Sequence, residues 1–284
     1  LSLGFAKQQN IGLDKENFTG SMTYNWNPKR FNNVRLDLFN VQYVNNINVG
    51  NYFNVYASSF AALNTIAQEI GRIPEGDRLS IPDEANTFIN DVLNNGTVLT
   101  SVDERYNQVR SIEERRIRLS ENNLIIASSY TFSKTTQNGV TDNNFYSFKT
   151  KVESAGNTLS LFASILETGN IEKSKRTIFD VEYSQYIKGE FEYIKHWNIS
   201  RDQILAVRGF FGLAIPYGNS TDIPFSRSYF AGGSNDIRAW QPYSLGPGSS
   251  GAINDFNEAN MKLTASAELR FKIVNNFKGA VFID

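Results

Sequence analysis

Arg238 is the residue with the most specific surroundings in this chain of 284 residues. It lies in the segment FAGGSNDIRAW (230–240), after the pair Gly232-Gly233 and just before Trp240. A planar guanidinium donates forked hydrogen bonds to carboxylates, which a lysine does not reproduce well. The residues alone leave two interpretations open: an arginine that pairs with carboxylates, and the commoner case of an arginine in solvent.

Other residues that could carry chemistry are few. The chain has no cysteine and one histidine, His196, which argues against zinc sites and His-dependent catalytic triads. Glu190 and Glu192 could form a carboxylate pair, but two glutamates on one face of a strand more often line a polar wall. Gly232-Gly233 lacks the downstream lysine of a phosphate-binding loop. The formal net charge of −1 gives no sign of a nucleic-acid partner. Because residues that could hold a metal or carry out catalysis are so few, we also expect no metal, no cofactor and no enzymatic activity.

Alternation of apolar and polar residues with period two predicts the elements that hold this segment. From 259 to 273 every odd position is apolar, and the even positions from 258 to 272 are polar or charged. Similar patterns give nine predicted strands in all, near residues 1–9, 17–27, 32–46, 121–133, 144–155, 181–197, 203–217, 258–273 and 277–284. The phase slips around Leu38-Phe39, which predicts a β-bulge.

The length of these segments indicates a membrane wall. Several are roughly twice the ~5–6 residues of a typical globular strand, and tilted membrane strands need about 9–11 residues. A sheet in lipid must close so that every backbone group is paired. We therefore expect an all-β fold, an antiparallel transmembrane β-barrel. A soluble sandwich or lipocalin-like barrel is the alternative, in which the apolar face would be buried.

The predicted connections sort by length. Counted back from 218–257, one side of the barrel receives 10–16, 47–120, 156–180 and 218–257, and the other receives 28–31, 134–143, 198–202 and 274–276. Bacterial barrels have long outer loops and short periplasmic turns, so the first set is expected outside. Phe60, Leu63, Ala67 and Ile70 are spaced for one helix face. We expect 47–120 to be a helical extracellular insertion that covers the barrel mouth.

The segment FAGGSNDIRAW, in a long loop between two alternating strands, resembles the conserved loop of the BamA/TamA superfamily of outer-membrane insertases. Gly232 and Gly233 match the family's glycine pair. Ile237-Arg238-Ala239-Trp240 matches its Arg-Gly-aromatic tip, with Ala239 in place of the usual glycine and Trp240 in place of Phe or Tyr. Leu245-Gly246-Pro247-Gly248 is also similar to the family's loop, and the overall pattern favours the TamA-like branch.

The resemblance implies that 218–257 folds into the barrel lumen, where Arg238 meets acidic residues of the last strands. The matching positions are Glu268, in AELRF, and Asp284, in VFID. The alternation agrees, because Glu268 belongs to the polar set of its strand and Asp284 lies opposite the apolar odd positions of 277–283. We expect Glu268 to be the principal partner and Asp284 the second.

The resemblance also implies a function. Residues 1–284 would be part of the C-terminal sixteen-stranded barrel of an integral outer-membrane protein of a Gram-negative bacterium, which assembles or inserts other proteins through a laterally opening barrel. Its expected partners are the outer-membrane bilayer, nascent β-barrel substrates, and periplasmic or lipoprotein accessory subunits. Two alternatives stay open: a TamA-like role in secretion or lipid transport, and a passive or gated pore.

Overall fold

The computed structural model describes residues 2–10, 15–95, 98–157, 170–172, 175–178, 181–245, 258–274 and 277–284. The strands in chain order are β1 (Ser2–Asn10), β2 (Lys15–Lys29), β3 (Asn32–Asn46), β4 (Asn123–Thr135), β5 (Tyr146–Ala155), β6 (Asn170–Glu172), β7 (Lys175–Ile178), β8 (Val181–Glu182), β9 (Tyr186–Ser200), β10 (Gln203–Pro216), β11 (Met261–Val274) and β12 (Phe277–Ile283). Nine of them form one antiparallel sheet in the order β1-β2-β3-β4-β5-β9-β10-β11-β12. The expected all-β fold is confirmed, and each predicted strand has a counterpart in this sheet.

One predicted strand is longer than the real one. The alternation over 181–197 predicted a single strand, but β9 begins at Tyr186, and β8 belongs to a separate sheet with the order β6-β7-β8. The cause is the burial of Tyr183, which packs with Leu124 and Val181. Ser184 donates its backbone N–H to the carbonyl of Leu124 at 3.0 Å, so the chain turns away from the wall before it enters β9.

The predicted bulge in β3 is confirmed. The register between β3 and β4 shifts between Asp37 and Asn40. In the register with β2, Asp37 pairs with Thr23 and Phe39 pairs with Met22, so Leu38 is the extra residue there. Because a bulge adds one residue to one strand, the side chains of β3 change face there. Asp37 before the bulge and Asn40 after it consequently line the same cavity.

The large sheet has two chemically different faces. One face, here called the outer face, exposes apolar side chains: Leu263 is 74% exposed and Val281 64% exposed. The opposite, inner face carries the even-numbered charged residues of β10 and β11, among them Arg208 and Lys262. A soluble sandwich would bury the apolar face, whereas a wall between lipid and a polar interior presents it outwards.

The connections lie at two ends of the sheet. At the short-connection end the chain passes from β2 to β3, from β4 to β5, from β9 to β10 and from β11 to β12. At the long-connection end it passes from β1 to β2, from β3 to β4, from β5 to β9 and from β10 to β11. This is the predicted sorting, because successive connections of an antiparallel sheet alternate between its ends.

The longest connection contains helices with a core of their own. After a 3₁₀ turn (Val49–Asn51) come α1 (Tyr52–Val55), α2 (Ala57–Glu69), α3 (Asp83–Leu93) and α4 (Glu104–Ser120). Their buried side chains, such as Leu63, Phe88 and Ile112, form one cluster. The carboxylate of Asp103 caps α4 by accepting the backbone N–H of Arg105 at 2.9 Å. Within the described part of the chain, no helix is long and apolar enough to cross a membrane.

Candidate functional site

The β10–β11 loop, residues 217–260, is described over 217–245 and 258–260. Its described residues 228–242 pack on the inner face. Two backbone hydrogen bonds close its central part: the N–H of Gly233 donates to the carbonyl of Trp240 at 2.8 Å, and the N–H of Tyr243 donates to the carbonyl of Ala231 at 3.1 Å. We call residues 231–243 the tip loop. This closure holds the tip loop in a single compact shape.

The glycine pair makes the closure possible. Gly232 and Gly233 both have φ of 104°, a region that residues with a Cβ rarely adopt. A Cβ on Gly232 would also overlap the carbonyl oxygen of Gln241. The backbone N–H of Gly232 donates instead to the carboxylate of Asp236 at 3.0 Å. Both the turn and the close approach of the two chain segments therefore need glycine at 232.

Ala239, which departs from the family pattern, fits without strain. Among the described non-glycine residues only Tyr243 has a positive φ, of 65°. A left-handed backbone at an aromatic residue is uncommon and needs support from its surroundings. The ring of Tyr243 stacks on Phe230, with centroids 4.2 Å apart, and on Phe225 at 5.7 Å. In this chain the unusual backbone conformation lies at Tyr243, four residues beyond the tip alanine.

The structure brings Arg238 together with both acidic residues. Its Nε and Nη2 donate to the two carboxylate oxygens of Asp284 at 2.9 and 2.8 Å, and its backbone N–H donates to the same carboxylate at 3.0 Å. Its Nη1 donates to Oε2 of Glu268 at 2.5 Å. The guanidinium also lies over the ring of Phe282, 3.5 Å from its centroid. Asp284 makes three of these contacts and Glu268 one, so the expected ranking of the two partners is reversed.

The register of the last two strands places these partners. Glu268 of β11 is paired with Phe282 of β12, and both point to the inner face, with Asp284 just beyond the end of β12. The side chain of Asp284 is 5% exposed. Glu268 also accepts a hydrogen bond from Arg270 at 2.6 Å. Hydrogen bonds to Asp284 and then to Glu268 raise the pKa of the Arg238 guanidinium, which keeps its charge.

Further contacts hold the tip loop to β10 and β11. The ammonium of Lys262 donates to the carboxylate of Asp236 at 2.7 Å and to the carbonyl of Phe230 at 2.8 Å. Arg208 donates to the carbonyl of Asn235 at 2.9 Å. Sequence reasoning missed Asp236, although an aspartate soon after a glycine pair is a common turn signal.

A second set of contacts, made by Arg227, fixes the loop to β3 and β5 on the opposite half of the sheet. Nη2 of Arg227 donates to Oδ1 of Asn40 at 3.0 Å, and Nη1 lies 3.7 Å from Glu153. The carbonyl of Arg227 accepts from Lys188 at 2.8 Å. Glu153, only 3% exposed, also accepts from Lys151 at 2.6 Å and from the hydroxyl of Tyr186 at 2.7 Å. The loop therefore spans the inner face from β3 and β5 to the end of β12.

The other residues singled out in the sequence have plainer surroundings. The side chain of Trp240 is 48% exposed, and its backbone carbonyl accepts the hydrogen bond from Gly233 that closes the tip loop. Glu190 pairs with Lys188, and Glu192 pairs with Arg208, as expected of a polar lining. His196 stacks on Phe145 at 4.4 Å. Gly246-Pro247-Gly248 lies outside the described residues. No group of acidic and histidine side chains in the described part of the chain is arranged to hold a metal ion.

Comparisons with known proteins agree with this architecture. A family model described as the Omp85 superfamily domain matches residues 10–284. Among solved structures, the chain is similar to the crystal structure of BamA from Haemophilus ducreyi lacking POTRA domains 1-3, with a TM-score of 0.51 and 11% sequence identity. That match covers 99% of this chain and 44% of the other, so this chain spans less than half the length of that protein. At such low identity the similarity concerns the fold alone. No curated protein matches the chain.

Proposed function

This chain belongs to the Omp85 superfamily, and we propose that its barrel assembles or inserts other proteins in the outer membrane of a Gram-negative bacterium. The single observation that carries the proposal is the Arg238 contact with Asp284 and Glu268, which joins the loop to the end of β12. A contact there would hold β11 and β12 in place and so support the seam between the first and last strands, whose alignment an incoming strand would have to read.

The proposed mechanism is strand addition. The addition would take place at the seam between the first and last strands of the closed sixteen-stranded barrel, of which residues 1–284 form part. An edge strand presents unpaired N–H and C=O groups, to which a nascent β-strand can add by β-augmentation. The long-connection end would face outwards, and the short-connection end would face periplasmic or lipoprotein accessory subunits. A TamA-like branch rests on the loop residues alone and stays a prediction.

The inner face gives less support to the pore alternative. A selective pore needs charges that permeating ions can reach. Here three basic side chains of β9, β10 and β11 already pair with acidic neighbours or with the loop: Lys188 with Glu190, Arg208 with Glu192, and Lys262 with Asp236. Such pairing suits a brace for the loop more than a conduction path.

The test is Arg238→Ala in cells whose only copy of the protein carries the change. We expect the variant to reach the outer membrane while the amount of other folded, heat-modifiable barrels falls, because the loop no longer holds the end of β12. Arg78→Ala, which removes an exposed arginine from the helical segment, is the matched control and leaves these barrels at their normal amount. Normal barrel amounts in Arg238→Ala, together with a changed ion selectivity, would refute the proposal in favour of a pore.

A further inference from the structure

Three cation–π pairs lie in a row at the short-connection end of the sheet. Lys134, at the end of β4, places its ammonium 5.4 Å from the ring centroid of Tyr146 on β5. Lys195 of β9 lies 5.7 Å from the ring of Trp197. Arg30, in the β2–β3 turn, lies 5.0 Å from the ring of its neighbour Phe31. The row runs along adjacent strands, because β4, β5 and β9 are hydrogen-bonded neighbours.

Two of these pairs form one continuous patch on the outer face. Tyr146 and Lys195 are directly opposite each other in the β5–β9 register, so the Tyr146 ring has one lysine on each side. The ring of Tyr193, 40% exposed, stacks beside Tyr146 with centroids 6.3 Å apart. Trp197, 41% exposed, extends the patch towards the strand end. We call Lys134, Tyr146, Tyr193, Lys195 and Trp197 the rim patch.

The rim patch faces the same side as the apolar surface. Tyr193, Lys195 and Trp197 continue the odd-numbered series of β9 that includes the exposed Ile187 and Phe191. Lys134 lies on the face of β4 that carries the exposed Tyr130. Side chains of one strand alternate strictly between faces. The two ammonium groups therefore lie where the apolar belt ends, and not on the inner face.

The positive charge of the patch is only partly matched by protein groups. Lys195 donates to the amide oxygen of Asn144, a neutral acceptor, at 3.1 Å. The carboxylate of Asp142, on the adjoining turn, interacts electrostatically with Lys195, but its hydrogen bonds are accepted from the backbone N–H groups of Asn138 and Asn144 at 2.9 and 3.0 Å. A lysine held against an aromatic ring keeps ammonium N–H donors free for a further anion.

We propose that the rim patch binds the headgroups of anionic phospholipids. Its aromatic rings suit the boundary between hydrocarbon and headgroups, and its two ammonium groups suit the lipid phosphate. In the orientation given under the proposed function, on which this assignment of sides rests, the patch meets the periplasmic leaflet, the phospholipid leaflet of the membrane. Each lysine then favours an anionic over a zwitterionic lipid by about fivefold.

The experiment uses Trp197 as the reporter in the full-length protein. Trp26→Phe and Trp240→Phe leave it as the one tryptophan of this part of the chain. The protein is reconstituted in phosphatidylcholine vesicles that contain dibrominated phosphatidylglycerol or, at the same mole fraction, dibrominated phosphatidylcholine. Bromine quenches tryptophan on contact, so the ratio of the two quenching curves gives the relative association of the anionic lipid. We expect a preference of about tenfold or more for phosphatidylglycerol.

Two variants and a control locate the preference. In Lys134→Gln/Lys195→Gln it should fall to about one, while Lys134→Arg/Lys195→Arg should retain it. Lys149→Gln is the matched control, because Lys149 lies on β5 close to Tyr146 but borders the inner-face cavity. Equal quenching by both lipids in the unsubstituted protein would overturn the proposal. An equal loss in Lys149→Gln would overturn it too, because net charge would then explain the preference. Insertion activity is not measured, so failure here leaves the proposed function standing.

Discussion

Glu153 is the carboxylate whose loss should weaken the inner face most. It is buried on β5, beneath the start of the loop. Its carboxylate accepts hydrogen bonds from Lys151 at 2.6 Å and from the Tyr186 hydroxyl at 2.7 Å, and it forms an ion pair with Arg227 at 3.7 Å. Glu153→Gln keeps the shape of the side chain and an acceptor for Tyr186. It removes the negative charge that Lys151 and Arg227 share.

The size of the effect follows from these contacts. A hydrogen bond to a charged group contributes about 1.5–3 kcal/mol, and breaking a buried ion pair costs about 3–5 kcal/mol. The side chain of Lys151 is 25% exposed and that of Arg227 is 19% exposed, so water recovers part of the loss. We expect Glu153→Gln to lower the free energy of unfolding by about 2–4 kcal/mol.

Glu190→Gln is the matched control. Glu190 lies directly opposite Lys151 in the β5–β9 register and pairs with Lys188 at 3.2 Å, but its side chain is 24% exposed. The carboxylate of Glu190 is half-buried, so water recovers more of the loss there than at Glu153, and we expect the smaller destabilisation. The measurement is urea unfolding in lipid vesicles, followed by the fraction of protein that keeps its heat-modifiable migration. Equal destabilisation by the two substitutions would refute the idea that Glu153 is the buried hub beneath the loop.

Two further predictions concern the tip loop and the helical segment. Gly232→Ala should destabilise the closed tip loop by about 1–3 kcal/mol, because φ is 104° and the added Cβ overlaps a carbonyl oxygen. The distribution of distances between spin labels on Ser234 and Lys278 should therefore broaden. The control Gly189→Ala, where a Cβ has open space, should leave that distribution unchanged. Hydrogen bonds from the side chain and backbone of Arg105 lower the pKa of Asp103 from 3.8 to about 2. The cap of α4 should therefore stabilise the helix fully above pH ~3.8 and lose this effect as the pH falls towards 2. A carboxyl ¹³C NMR titration of Asp103 with a midpoint near 4 would contradict this.

The large sheet could be predicted because its strands alternate apolar and polar residues with a period of two. Each long strand separates an apolar from a polar environment, so the alternation marks both the strand and its faces. The bulge at Leu38-Phe39 was visible for the same reason. The sheet of β6, β7 and β8 was not predicted, because strands of two to four residues are too short to show a period. Burial of Tyr183, which divides β8 from β9, depends on a contact with Leu124 that alternation does not encode.

The site could be predicted only in part. Strand parity placed Glu268 and Asp284 on the face that Arg238 reaches, but no pattern ranks two carboxylates. The ranking depends on the backbone N–H of Arg238, which points at Asp284. The contact between Arg227 and Asn40 joins residues 187 positions apart in the chain. It depends on the path of the whole loop across β9, β5 and β4, which local sequence does not determine.

The tip shows how a departure from the family pattern is accommodated. A glycine before the tip aromatic would allow a left-handed backbone there, but Ala239 has no positive φ and the left-handed residue is Tyr243. Such a conformation is costly for an aromatic residue unless packing supports it. Phe225 and Phe230 supply that support by stacking on the Tyr243 ring, and Lys262 holds the carbonyl of Phe230. The aromatic stack between the two arginine contacts therefore sets the shape of the loop, so that Arg227 and Arg238 can reach opposite halves of the sheet at once.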